Sequence, residues 1–168
     1  MEAVAEQVVE EVVRSQYEIE PHRRTGGKPM PSKNQSKIQA RISQQLLNQY
    51  EVQFDVLREL SLEAPNPPTV PDVCIFPAEP SNWREDEVKV SEVPLTVIEI
   101  VSPSQTDTEL TAKSVAYFAA GVKSYWLVQP VLRTVFVLLP NGDELVFHND
   151  VLTDPTNGIS VDLKIVFR

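Results

Sequence analysis

Residues 94–130, PLTVIEIVSPSQTDTELTAKSVAYFAAGVKSYWLVQP, read as strand, turn, helix and strand, and the rest of the chain is arranged around them. Leu95, Val97, Ile98, Ile100 and Val101 make a nearly continuous apolar run, rich in β-branched residues, the pattern of a strand buried on both faces. The one charge inside it is Glu99, and a carboxylate there is out of place unless something pairs with it. Ser102-Pro103 ends the run, and either Ser104 to Asp107 or Thr106 to Glu109 can supply a capping box that opens a helix. Gly121 closes that helix. Leu110, Val115, Ala116, Phe118 and Ala119 form its apolar stripe, and Lys113 and Tyr117 lie one above the other at i, i+4. Residues 123–128 return as a strand. The connection is long enough for a βαβ unit with two parallel neighbouring strands, and in such sheets sites form beyond the carboxyl ends of the strands. Glu99 lies near that end.

Composition bounds the remainder. With 168 residues, 42% of them hydrophobic, the chain is expected to form one domain able to bury a core without disulfides or a structural metal. Its single cysteine, Cys74, sits in the apolar run 73–76, which reads as a small core hydrophobe rather than a reactive thiol and suits a reducing compartment. Acids stand near the N-terminus where a signal peptide carries bases, and no apolar stretch approaches the roughly 20 residues that cross a bilayer. The expectation is a soluble, cytoplasmic protein with no membrane partner. A formal charge of −9 and a pI near 4.7 repel phosphate backbones at long range, so a nucleic-acid reading has to say how that repulsion is overcome.

In chain order, residues 3–16 place Val4, Val8, Val9, Val12 and Val13 on one helical face, a short amphipathic helix. Residues 17–19 read as a brief strand, and 21–31 as a loop with a basic cluster, His22, Arg23, Arg24 and Lys28, either simply solvated or an arm for phosphates. Ser32 caps a helix that runs to Tyr50, with Ile38, Ile42, Leu46 and Leu47 as its buried face and Lys33, Lys37 and Arg41 along another side. Residues 51–55 and 56–62 read as strands, 64–71 as a proline-rich connection, 72–76 as a strand opened by Asp72, and 77–93 as a polar loop. Residues 133–139 and 143–148 flank Pro140-Asn141-Gly142, a strong hairpin signal, and 161–166 read as a final strand. The order describes an α/β domain with a mixed central sheet flanked by helices.

Asp72 after a proline, Glu99 in a second strand and Lys113 on the following helix are two acids and a base compatible with one rim of a sheet. With Pro71-Asp72, Val97-Ile98-Glu99-Ile100-Val101-Ser102-Pro103-Ser104, Lys113 four residues before Tyr117, Gly121-Val122 and Tyr125-Trp126-Leu127-Val128 in this order, the chain resembles the Uma-type family of putative restriction endonucleases, within the PD-(D/E)xK nuclease superfamily. The resemblance runs from about Tyr17 onward. It implies a restriction endonuclease-like core over 17–168, with 1–16 as an N-terminal helix of the same nuclease-like domain. The superfamily's usual lysine, two residues after the acid, is here Val101; in this family it migrates to the helix, at Lys113. Gln35 stands where the family often has histidine, and Gln129 where it often has aspartate.

The resemblance implies a divalent-metal-dependent DNA endonuclease. Asp72 and Glu99 are then the carboxylate ligands and the backbone carbonyl of Ile100 a third, a sufficient protein set for Mg²⁺ (or Mn²⁺), which keeps several waters. Lys113 orients or deprotonates the attacking water or offsets transition-state charge. Tyr117 and Gln35 are candidates to support the ligands, Gln39 and Lys33 to line the site. The site acids are expected to be partly wet. A homodimer and DNA are the implied partners, with the basic elements between His22 and Arg41 facing phosphate. Structural alternatives stand beside each role: Asp72 as a strand cap, Glu99 with Lys113 as a buried ion pair, Tyr117 as a core tyrosine. Two other readings of the whole remain open, a nuclease-like module without turnover and a hydrolase of another phosphoester.

Overall fold

Ser32 and Gln35 open the first helix by exchanging hydrogen bonds: the Ser32 hydroxyl accepts from the Gln35 backbone N–H at 3.2 Å and the Gln35 side chain accepts from the Ser32 N–H. This reciprocal cap satisfies donors that a helix start otherwise leaves open. The structure, a computed structural model, describes residues 30–168. The helix expected over 1–16, the strand over 17–19 and the cluster His22, Arg23, Arg24 and Lys28 lie outside the described residues. Helix α1 spans Lys33–Tyr50, followed by β1 (Phe54–Arg58), β2 (Ser61–Leu62), β3 (Val73–Pro77), β4 (Lys89–Val90) and β5 (Thr96–Ile100). Helix α2 (Asp107–Ala120) leads to β6 (Ser124–Gln129), β7 (Thr134–Leu138), β8 (Glu144–His148), β9 (Val151–Thr153), β10 (Ser160–Asp162) and the short α3 (Leu163–Val166).

Six strands form one mixed sheet in the order β1-β3-β5-β6-β7-β8, with β2 and β4, and β9 and β10, as two small satellite pairs. Only β5 and β6 pair in parallel within the large sheet, Glu99 opposite Leu127 and Ile100 opposite Val128; its other neighbours are antiparallel. The expected βαβ unit is therefore the sheet's centre, and every residue of β5 is buried. Alternation then sorts side chains to two faces. Ile98, Ile100, Trp126, Val128, Val73 and Ile75 pack beneath α1 through Ile38, Ile42 and Leu46. Val97, Cys74, Phe76, Tyr125 and Leu127 pack on the opposite face with Leu110 and Tyr117 of α2.

Several boundaries differ from expectation for local reasons. The strand expected over 51–55 begins only at Phe54, because the Gln53 N–H bonds to the Tyr50 carbonyl in a turn that finishes α1. The run 56–62 is broken at Glu59, whose φ of +54° sends the chain out of the sheet, so that Ser61–Leu62 pairs with Lys89–Val90 instead. Leu47 and Val115 were expected in buried stripes but are 43% and 65% exposed. On α2 the face toward the sheet is Leu110, Ser114 and Tyr117, spaced i, i+4, i+7, and Val115 is turned about 100° away from it. The expected strand over 161–166 stops at Asp162, which accepts the Lys164 N–H and starts a helical turn. Thr106 rather than Ser104 caps α2, and Gly121, at φ +110°, closes it in the left-handed region that glycine enters without penalty.

The amino ends of β5 and β6 are knotted to the C-terminal hairpin by Asp154. Its carboxylate, fully buried, accepts from Ser124 Oγ, from Trp126 Nε1 at 2.7 Å and from both the backbone N–H and the hydroxyl of Thr156. Ser124 in turn meets Thr96 at 2.7 Å, and Asn157 donates to Thr96. Replacing Asp154 with alanine leaves the Trp126 and Ser124 donors buried without their acceptor, and the expected loss is about 2–4 kcal/mol of unfolding free energy in a urea titration. A loss below about 0.5 kcal/mol would show that the knot contributes nothing net.

Candidate active site

At the carboxyl end of β5 the sheet carries two acids on neighbouring strands. In the β3–β5 ladder Val73 faces Ile98, so one further step of the same register sets Asp72 against Glu99. Asp72 stands just before β3 begins, and its side chain takes over the ladder: Asp72 Oδ2 accepts the Ile100 N–H at 2.7 Å. Gln35 reaches in from the first turn of α1. Its Nε2 lies 3.2 Å from Asp72 Oδ1, 3.4 Å from Asp72 Oδ2 and 3.4 Å from the Ile100 carbonyl. Gln39, one turn on, donates to the Asp72 carbonyl at 2.7 Å. The capping box that starts α1 thus also anchors the residue that contacts Asp72.

Glu99 is held from the other face. Lys113 Nζ and the Tyr117 hydroxyl, one turn apart on α2, both donate to Glu99 Oε1 at 3.2 Å. Tyr117 has a single hydroxyl hydrogen, so with it given to Glu99 the 2.9 Å contact to Thr69 is one in which Thr69 donates. Burial, then the negative charge of Glu99, push the Tyr117 hydroxyl well above the ordinary phenol range, so it remains a donor. Tyr125 stacks on Tyr117 with ring centroids 5.6 Å apart, and its hydroxyl is buried with no hydrogen-bond partner among the described residues. Burial, Glu99 and then Asp72 push it up in the same way, so it stays protonated.

The structure brings Asp72, Glu99, Ile100, Lys113, Gln35 and Tyr117 to this one end of the sheet, with Gln39 beside them; Lys33 is exposed on α1. The acids are drier than expected. Asp72 is 2% and Glu99 1% exposed, because Gln35, Gln39, Tyr117 and the flanking strands cover them, whereas Lys113 keeps 32% of its side chain in contact with solvent. No group of three or more histidine, cysteine or acidic side chains gathers among the described residues, so a metal here would rest on two carboxylates, a carbonyl and water. That donor set fits a hard cation: three oxygens of Asp72 and Ile100 already converge on the partial positive charge of one amide nitrogen. Sequence reasoning passed over Thr69 and the Tyr125 hydroxyl. Thr69 lies in a proline-rich connection with no periodicity, and Tyr125 in a strand where an aromatic reads only as core.

A family model described as Putative restriction endonuclease, Uma2, matches residues 17–164. Among solved structures, a crystal structure of a putative nuclease belonging to DUF820 from Anabaena variabilis is similar at 26% identity with a TM-score of 0.72, over 85% of this chain and 87% of that one. No curated protein matches. No helix among the described residues is long and apolar enough to cross a membrane.

Cys74 lies in the same core as these tyrosines, and burial pushes its thiol from 9.0 up to about 12. The unfolded thiol therefore loses its proton at lower pH than the folded one, and between these values the unfolded state binds fewer protons. Unfolding free energy is expected to fall as pH rises from about 9 toward 12, with both raised tyrosines acting in the same direction, and native Cys74 should resist alkylation until the protein unfolds. Denaturant melts across that range with an iodoacetamide time course check both; flat stability, or alkylation at the rate of a free thiol, contradicts the burial argument.

Proposed function

The chain belongs to the Uma2 family, described as Putative restriction endonuclease, and we propose that it is a divalent-metal-dependent endonuclease hydrolysing the phosphodiester bonds of DNA. The observation that carries this reading is the convergence of the Asp72 carboxylate and the Ile100 carbonyl on one point at the end of β5, with Glu99 on the adjoining strand position. Asp72, Glu99 and the Ile100 carbonyl would hold Mg²⁺ or Mn²⁺. Such a cation supplies a more acidic water and positive charge for the phosphoryl oxygens.

The chain's own residues do the positioning. Gln39 grips the Asp72 backbone while Ile100 and Gln35 fix the carboxylate, so Asp72 has little rotational freedom to lose. Tyr117 orients Glu99 from the α2 side, and Thr69 holds Tyr117. Lys113 is the one charged member open to solvent; its Nζ can accompany an incoming phosphate, orienting the attacking water or offsetting charge as the phosphorus becomes five-coordinate. Cutting both strands of a duplex calls for two such sites, for which a homodimer is the simplest assembly. The 3.2 Å contact of Lys113 with Glu99 supports a second reading, in which this pair is structural and the fold binds without turnover.

Two variants separate these readings. Asp72→Asn keeps the size and one acceptor oxygen, so the fold should persist by circular dichroism while the heat of Mn²⁺ binding disappears and plasmid nicking drops to background. Normal nicking by that variant would remove Asp72 from the ligand set. Lys113→Met should cut nicking by about 10²–10⁴, the usual contribution of a positioned acid–base group, with Mn²⁺ affinity kept or raised because a like charge is gone. A purely structural pair predicts instead a stability loss of about 3–5 kcal/mol, the cost of stranding a buried carboxylate. Thermal melts and nicking time courses on the same preparations tell the two apart.

A further inference from the structure

The conflict between an acidic chain and a polyanionic substrate is met locally. A groove of about 190 Å³ is lined by Lys37 and Arg41 of α1, Arg133 of the β6–β7 turn and Arg168, and no acidic side chain is among its lining residues. A larger groove of about 350 Å³ lies at the β1 edge among Asp55, Glu79 and Glu92 and includes none of the site residues. In a chain of net charge −9, four cationic side chains lining one groove with no acidic side chain among them are a local departure from the sign of the whole.

The groove also lies at the same end of the sheet as the candidate site. Strands β5 and β6 are parallel, so Ile100, at the candidate site, and Pro130, in the groove wall, mark the same end of the sheet. Helix α1 serves both: Gln35 and Gln39 reach the Asp72 side, Lys37 and Arg41 the groove. Two features set these residues apart from stray surface charge. Arg41 donates to the main-chain oxygens of Val166 and Arg168 at 3.0 and 2.7 Å, which ties α1 to the end of α3 and the residues just beyond it. Arg133 holds φ at +49°, a left-handed conformation that costs a non-glycine residue of order 1 kcal/mol and that glycine would adopt freely.

We propose that this groove is a docking site for the phosphate backbone of duplex DNA, holding the strand beside the Asp72–Glu99 end of the sheet. The identity of the polymer rests on the nuclease reading; the placement of the cations does not. Lys37 and Arg133, both exposed, make the direct contacts, and Arg41 orders the groove wall.

The test uses the full chain, a short fluorescein-labelled duplex and Ca²⁺ in place of Mg²⁺, with anisotropy read over a salt series. The double variant Lys37→Glu, Arg133→Glu should bind at least about tenfold more weakly than the parent, with a log affinity against log salt slope shallower by about 2, one per lost phosphate contact. Arg133→Gly should lose part of that affinity while its thermal melt stays level or rises, since the strain is relieved. Lys123→Glu, an exposed change at the opposite end of β6, controls for net charge and should bind nearly as the parent does. Equal losses from Lys123→Glu and the single Arg133→Glu, an unchanged slope in the double variant, or a parent that binds no duplex would each overturn the groove. Mn²⁺ titration and nicking on the same proteins keep the two claims apart: a parent that binds the duplex through the groove yet neither takes up Mn²⁺ nor nicks loses the nuclease reading and keeps the groove. Groove variants that bind and nick like the parent lose the groove and keep the nuclease.

Discussion

A charge buried in the middle of a sheet needs donors brought to it, and Glu99 is such a charge. It sits in the central strand, nearly inaccessible, and the fold answers with two donors from one helix, Lys113 and Tyr117, placed a turn apart so that both reach the same oxygen. That requirement sets the rotation of α2 about its axis. With Tyr117 turned inward, Leu110 and Ser114 follow it onto the sheet and Val115 is carried outward, against its own hydrophobicity. Thr69 extends the constraint by donating to Tyr117, which ties the proline-rich connection between β2 and β3 to the same cluster. Leaving such a carboxylate unpaired would cost several kcal/mol, a large part of the stability of a domain this size.

The two ends of the β5–β6 pair are put to different uses. At the amino ends, Asp154 is enclosed by four donors from side chains and backbone and serves as a polar knot between sheet and hairpin. At the carboxyl ends, strand pairing gives out, and Asp72 completes the ladder with a side chain in place of backbone. The acceptors gathered there, two carboxylates and a carbonyl, are held by amides, a phenol and one half-exposed lysine. Such an arrangement holds its geometry at the end of the sheet beyond which sites in parallel α/β sheets generally form. The two networks share no side chain, so each can be altered without directly disturbing the other.

Charge is organised by position rather than by total. The chain is acidic overall, yet the acids of the β1 edge and the cations around α1, the β6–β7 turn and the C-terminal residues face different grooves. At physiological salt, charges interact over about 8 Å, so any polyanion brought close to that surface would respond to the local cluster more than to the distant excess.

Much of this was legible in the sequence by itself. The apolar run around Glu99, the capping residue and closing glycine of α2, and the return strand at Tyr125-Trp126 determined the βαβ unit, because strand and helix periodicities are local properties that survive without any tertiary contact. Glu99 stood out as a charge set in an apolar run, whereas Asp72 and Lys113 gained weight only beside it, through the order of motifs that carries the family resemblance. Tertiary structure alone decided the rest. The break at Glu59 and the helical turn after Asp162 depend on backbone turns and a side-chain cap that short apolar runs do not encode. The rotation of α2 follows from a donor requirement, which outweighed its apolar stripe. The dryness of the acids comes from Gln35 and Gln39: their spacing puts them on the same helical face as Ile38 and Ile42, but that they cover Asp72 is decided only when α1 is laid across the end of the sheet. The basic groove joins residues separated by more than ninety positions, Lys37 to Arg133, and only the fold brings charges so far apart in the chain to one place.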